Sequence, residues 1–315
     1  MIPASSSTRR RFAVLVAIAV VTASAVGAFI ELKLSRPIGS GPAGPEVSAA
    51  PFETEWASRN VLLIGIGDSV TAGLGAKSPA HSYFNRILTN PPDEFPEMRG
   101  LCLSQVLPNV TAVNYAISGS TSDEHLRIIQ EKIPVADEAF GLVVMTTGGN
   151  DLIHSYGRRK PRECAMYGAT LLEAEPWIVA FRERLRLMLE EIDKRFPVGC
   201  EIYIGDIYDP TDGVGDAPSI FLPDWPDGLA IHRRYNAIIH DEAAKRSNTF
   251  VVGLYDEFLG HGSHCRQFWR STYRRNDPHY WFYENVEDPN DRGYDAIRRL
   301  FLNAIARHTT LRQSS

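Results

Sequence analysis

From Asn60 onward, short continuous apolar runs alternate with stretches whose apolar residues recur every three or four positions. Val61–Ile66 is the first such run and ends at Gly67-Asp68-Ser69. Val110–Ile117, Leu142–Thr146, Glu201–Ile207 and Phe250–Leu254 repeat the pattern, and each predicts a strand. Leu142–Thr146 carries no polar alternation, as expected for a strand buried on both faces. Helical spacing occupies His81–Leu88, Asp123–Ile133, Leu229–Lys245 and Arg292–Arg307. It is clearest in Trp177–Arg195, where Phe181, Leu185, Met188, Leu189 and Ile192 share one face. Strand–helix alternation of this length predicts an α/β fold, a parallel sheet covered by helices on both faces. Ligands of such sheets bind at the carboxyl ends of the strands. Ser69, Gly119 and Asn150 follow the first, second and third strands, so all three fall there.

The N-terminus follows another rule. Arg9, Arg10 and Arg11 precede a run from Phe12 to Ile30 broken only by Thr22, Ser24 and Gly27. A basic segment before such a run is an export signal or a membrane anchor, and both readings stay open over residues 1–36. As an anchor, residues 12–30 would tether the body to a membrane; either way the body is exported, secreted or membrane-bound. Residues 37–58, rich in Gly, Pro, Ala and Ser at their start, read as a flexible linker. The domain proper is expected over 59–308, with 309–315 as a tail. Removing residues 1–36 takes away five positive charges and one negative, so a net −5 becomes −9 for the remainder. That balance, without a basic stripe, argues against a nucleic-acid partner.

Gly67-Asp68-Ser69 at a strand exit can project a serine hydroxyl above the sheet edge. Acyl transfer needs such a nucleophile together with donors aimed at the developing oxyanion. The N–H groups of Ser69 and Gly119 and the side-chain amide of Asn150 would supply three. Each motif alone is an ordinary turn. Taken together, three blocks resemble those of the SGNH (GDSL) hydrolase family in order and spacing: Gly67-Asp68-Ser69-Val70-Thr71-Ala72-Gly73, Asn114 to Thr121, and Gly148-Gly149-Asn150-Asp151. The resemblance extends over about residues 60–308. It implies a three-layer α/β/α flavodoxin-like sandwich, with five parallel strands in the order 2-1-3-4-5. It also implies Ser69 as nucleophile, Gly119 and Asn150 in the oxyanion hole, and esterase-type activity on a small acyl ester or an acylated carbohydrate, with no cofactor or metal.

The fourth block departs from the family. Where Asp-x-x-His-Pro is expected, Asn285 stands for the aspartate and Asp288 for the histidine, before Pro289. A serine hydroxyl without a base is a poor nucleophile near neutral pH. The segment 261–283 holds His261, His264 and His279 among many aromatic residues. We therefore expect one of these histidines to serve as base, His279 first because Asp277 or Asp288 could orient its ring, with Asp288 as the alternative. The aromatic residues form either a lid or local core. A catalytically silent fold that binds a glycan or acyl group is the rival to the hydrolase. Of the four cysteines, Cys164 and Cys265 are the pair expected to bridge, and Cys200 is expected as a small buried residue.

Overall fold

In the computed structural model, residues 6–312 are described. Residues 1–5 of the predicted N-terminal segment and 313–315 of the predicted tail lie outside them. The sheet is five-stranded and entirely parallel, in the order β2-β1-β3-β4-β5. Its strands are β1 (Val61–Ile66), β2 (Val110–Asn114), β3 (Phe140–Thr146), β4 (Cys200–Gly205) and β5 (Thr249–Val252). The largely buried strands β1, β3 and β4 fill the centre, while β2 keeps Thr111, Val113 and Asn114 exposed at an edge. Register aligns the strand exits, with Ile66 opposite Met145, Gly65 opposite Asn114 and Thr146 opposite Gly205.

The helices are α1 (Ser6–Phe29), α2 (Ser69–Ala72), α3 (Tyr83–Leu88), α4 (Leu103–Val106), α5 (Ser122–Lys132), α6 (Gly149–Ile153), α7 (Leu171–Arg195), α8 (Gly228–Ala244), α9 (Leu254–Phe258) and α10 (Asp291–His308). Apolar faces of α3, α4, α9 and α10 pack on one side of the sheet, and those of α5, α7 and α8 on the other. These are the two cores of a three-layer sandwich. α7 starts before the predicted Trp177, with Pro176 inside it, because Thr170 and Glu173 form a reciprocal capping box ahead of the proline. α1 continues as a π-helical turn, Ile30–Leu34, and the stretch Arg10–Leu34 is long and apolar enough to cross a membrane, with no part of it buried against the body.

Residues 37–58 do not form the loose linker expected from their composition. The Pro37 carbonyl accepts from Tyr280 N at 2.8 Å, and Ala43 N donates to Asp295 Oδ2 at 2.9 Å. The Arg292 guanidinium donates to the carbonyls of Ile38, Gly41 and Pro42. Ala43, Val47, Phe52 and Trp56 are buried in the core under α10. A chain with few side chains can lie close to a helix: a Cβ at Gly44 would stand 2.5 Å from Ala296 Cα. The predicted tail likewise begins inside the fold, with Leu311 buried and Thr310 N donating to Glu201 Oε1 at 2.6 Å.

α10 is anchored by charge. Arg298, fully buried, donates to both Glu94 carboxylate oxygens at 2.6 and 2.9 Å and to Asp295 at 2.7 Å. Arg299 pairs with Asp295 and Glu97, and Arg86 with Asp291.

Candidate active site

At the exit of β1 the chain turns on Gly67, whose φ of +147° disfavours any side chain and whose Cβ would meet the Thr146 carbonyl oxygen at 2.6 Å. Asp68 then caps α2, its carboxylate accepting from Val70 N at 3.1 Å and from Thr146 Oγ1 at 3.0 Å. Ser69 is thus the first residue of α2, partly exposed, with an N–H that lacks an intrahelical acceptor. Its own carbonyl is fixed by Gly73 N at 2.8 Å and Leu74 N at 3.0 Å.

At the β2 exit Gly119 sits in an exposed turn at φ +82°, closed by Ser120 N donating to the Ile117 carbonyl at 3.1 Å. At the β3 exit Gly148, at φ +92°, is packed against Phe181 and Tyr235 and starts α6. Asn150 Nδ2 donates to the Ser120 carbonyl at 2.8 Å, joining the second and third exits. A buried chain behind them was not legible in the sequence: Ser120 Oγ reaches Gly67 O at 3.1 Å and His125 Nε2 at 2.8 Å, while His125 Nδ1 meets Thr147 Oγ1 at 2.8 Å. Burial pushes His125 down to about 4, so this imidazole is neutral and acts as a strut between strand exits.

The structure does not bring His279 to Ser69. His279 Nδ1 binds Asp277, which also holds Arg292 at 2.9 Å, and its ring covers Gly39 of the N-terminal strap. His261 stacks on Trp281 at 3.4 Å with Nδ1 on the His279 carbonyl, and burial pushes it down to about 4. His264 lies between Asp216 and Gln267. The Asp212 carboxylate accepts from the N–H groups of Gly260, Gly262 and His264 at 2.7–2.8 Å and fixes the start of this segment. Its aromatic residues are divided. Tyr280, Trp281 and Phe282 are core, whereas Phe268, Trp269 and Tyr283 are exposed.

What reaches Ser69 is the end of that segment. Asp288, buried, lines the same cavity as Ser69, and Asn285 Nδ2 donates to its Oδ2 at 2.5 Å. Asn285 Oδ1 in turn accepts from Asp288 N at 3.1 Å. Burial raises the Asp288 carboxyl above the ordinary 3.8, with the bonds from Ser69 and Asn285 opposing it. Asp68 is raised to about 6 by burial, less its hydrogen bonds, with the Asp288 charge adding. Glu287, bonded by the Tyr156 hydroxyl, is also raised by burial and by its two acidic neighbours. Asp68, Ser69, Asn150 and Asp288 line one cavity of about 160 Å³; the histidine lining it is His232, on α8, whose Nε2 meets the Ile207 carbonyl at 2.9 Å.

The expected bridge between Cys164 and Cys265 is not formed; all four cysteines are free thiols. Cys265 is buried near Asp212, whereas Cys164 stands beside Asp151 and Arg184. Cys200 is buried at the start of β4. Among the described residues, no group of three or more His, Cys, Asp or Glu side chains is placed to hold a metal ion.

A search of curated proteins found no match. Among solved structures, similarity reaches a catalytic mutant of Axe2, an acetylxylan esterase from Geobacillus stearothermophilus, at 17% identity and a TM-score of 0.50, covering 82% of this chain and 99% of that one. The lipase Lip_vut3 from a goat rumen metagenome aligns at 19% identity and a TM-score of 0.48, over 80% of this chain and 100% of the other. For phospholipase A1 from Streptomyces albidoflavus NA297 the values are 14% and 0.49, over 79% and 100%. At such identities the likeness concerns the fold. The family model of the GDSL-like Lipase/Acylhydrolase family matches residues 66–296, a span that starts at the β1 exit and ends inside α10, and by that match over most of its length the chain belongs to this family.

Proposed function

We propose that this chain is an exported or membrane-anchored esterase that works through a Ser69 acyl-enzyme with Asp288 as its base. The observation that supports the reading is that Ser69, Asn150 and the buried Asp288 line one cavity, with Asn285 Nδ2 on the Asp288 carboxylate at 2.5 Å. In the first step Ser69 Oγ bonds to the ester carbonyl carbon while its proton passes to Asp288. The N–H groups of Ser69 and Gly119 and the Asn150 amide stabilise the oxyanion. Collapse breaks the bond to the alcohol, which leaves with the proton from Asp288, and water then hydrolyses the acyl-serine by the same route. A carboxylate is a weak base for a hydroxyl, but the raised pKa of Asp288 strengthens it relative to an exposed one. Asn285 orients it, as a second carboxylate at that position could not without repelling it. The membrane attachment rests on the apolar Arg10–Leu34 stretch.

One observation favours a second reading, a silent fold that only binds an acylated ligand: both fourth-block positions differ from the family's. Labelling by a fluorophosphonate and hydrolysis of p-nitrophenyl esters, for the wild type and Ser69→Ala, separate the two. Labelling and turnover that both vanish in Ser69→Ala support the esterase. A wild type that neither labels nor turns over leaves the binding protein.

A further inference from the structure

The cavity beside Ser69 is larger than an acetyl group needs and most of its wall surface is apolar. Leu152 and Ile153 contribute from the β3 side, Ala217 and Ile220 from a 3-10 turn, Trp225 from the loop before α8 and Leu229 from its first turn. Its aromatic walls also carry polar tips, yet these are tied off inside the protein. Tyr167 OH donates to the Pro223 carbonyl at 2.6 Å, Trp225 Nε1 to Ala169 O at 2.7 Å, and Tyr156 OH to Glu287. The Asp209 carboxylate is used by Thr211 and Gly213 N–H groups, and Asp206 by Tyr255 N and His240. A sugar seated here would find few partners for its hydroxyls; among these wall residues the polar side-chain atom left unpaired and buried is His232 Nδ1. The carboxylates Asp68, Glu287 and Asp288 also set a negative field that disfavours an anionic ligand.

We propose that this cavity is an acyl-chain pocket that selects neutral esters of unbranched acids of about six to eight carbons over acetyl esters. An apolar cavity of ~150 Å³ accepts a six-carbon ring such as benzene, and the volume here is about 160 Å³. An acetyl group would leave most of it empty. Each further methylene moved from water into such a wall contributes roughly four-fold to binding, so hexanoyl and octanoyl esters should exceed acetyl by about 10²-fold or more in kcat/KM. The catalytic half of this proposal rests on the Ser69 reading above; the binding half does not.

The test uses the full chain in lipid nanodiscs, so that no detergent chain competes for the cavity. Turnover of p-nitrophenyl esters from acetyl to dodecanoyl is compared for the wild type, Ala217→Leu and Leu229→Trp. Ala217 is buried and its variant fills the cavity directly, whereas Leu229 is only half-buried and tolerates bulk if the first variant fails to fold. A maximum at six to eight carbons is expected, with both substitutions lowering those esters at least ten-fold while acetyl stays within about three-fold. An acetyl ester turned over as fast as hexanoyl, or a loss equal at all lengths, overturns the proposal. If no ester is cleaved and Ser69 takes no phosphonate, the Ser69 reading fails by itself. Calorimetry with octanamide and acetamide then decides the pocket: tighter binding of octanamide, lost in Leu229→Trp, upholds it, and equal binding refutes it.

Discussion

Asp288→Asn separates chemistry from stability because it should move them in opposite directions. The substitution keeps size and shape and can still pair with Asn285 after an amide rotation, but it removes the proposed acceptor of the Ser69 proton. Loss of a positioned general base is worth ~10²–10⁴ in rate, and turnover of an acyl ester should fall in that range. Stability should rise. Burial lifts the folded pKa of Asp288 above its ordinary 3.8, so between those two values the folded state holds a proton that the unfolded state has released. Stability therefore falls as pH rises through that window and stays reduced at neutral pH. Each unit of such a shift corresponds to ~1.4 kcal/mol, and a gain of 1 kcal/mol raises Tm by about 2–4 °C in a body of this size. The neutral amide removes this penalty and also withdraws one cause of the raised Asp68, now at about 6. Initial rates and thermal unfolding at pH 5 and pH 8 supply both readouts, with the Tm gain larger at pH 8. An Asp288→Asn protein that keeps wild-type turnover, or whose Tm gain is larger at pH 5, would refute the assignment of Asp288 as a buried ionised base.

Asn150→Ala should lower turnover by ~10²-fold or more through loss of one oxyanion donor, with circular dichroism unchanged. His279→Ala should leave esterase rates within about three-fold, because its ring serves the Asp277–Arg292 cluster against the N-terminal strap rather than the nucleophile; a loss beyond ~100-fold in a folded variant would return it to the site. Arg298→Met should destabilise by ~3–5 kcal/mol, because it leaves the buried Glu94 carboxylate without its cation, while Asp295 keeps Arg299. Urea unfolding measures this, and simultaneous Glu94→Gln should recover part of the loss.

Sequence alone determined what depends on local pattern. The continuous apolar runs of β1 and β3 predict a buried parallel sheet because only a strand covered on both faces tolerates them, and the structure has that sheet in the 2-1-3-4-5 order that the family resemblance implies. Ser69, Gly119 and Asn150 were placed at strand exits by the same periodicity, and the aligned registers set those exits along one edge. Boundaries shifted where a cap outweighed a breaker, as at Thr170 and Pro176. Tertiary structure decided everything that depends on contacts distant in sequence. A Gly- and Pro-rich stretch such as 37–52 has no periodicity, so its docking under α10 shows only through Arg292 and Asp295, some 250 residues away. Three histidines in one segment pointed to a base from that segment, yet contacts distant from Ser69 hold them: His279 on Asp277, His261 on Trp281 and His264 on Asp216. Asp288, at the position of the family's histidine, lines the cavity with Ser69: spacing along the chain preserved the position, and only packing in three dimensions gave its carboxylate the buried setting that raises its pKa.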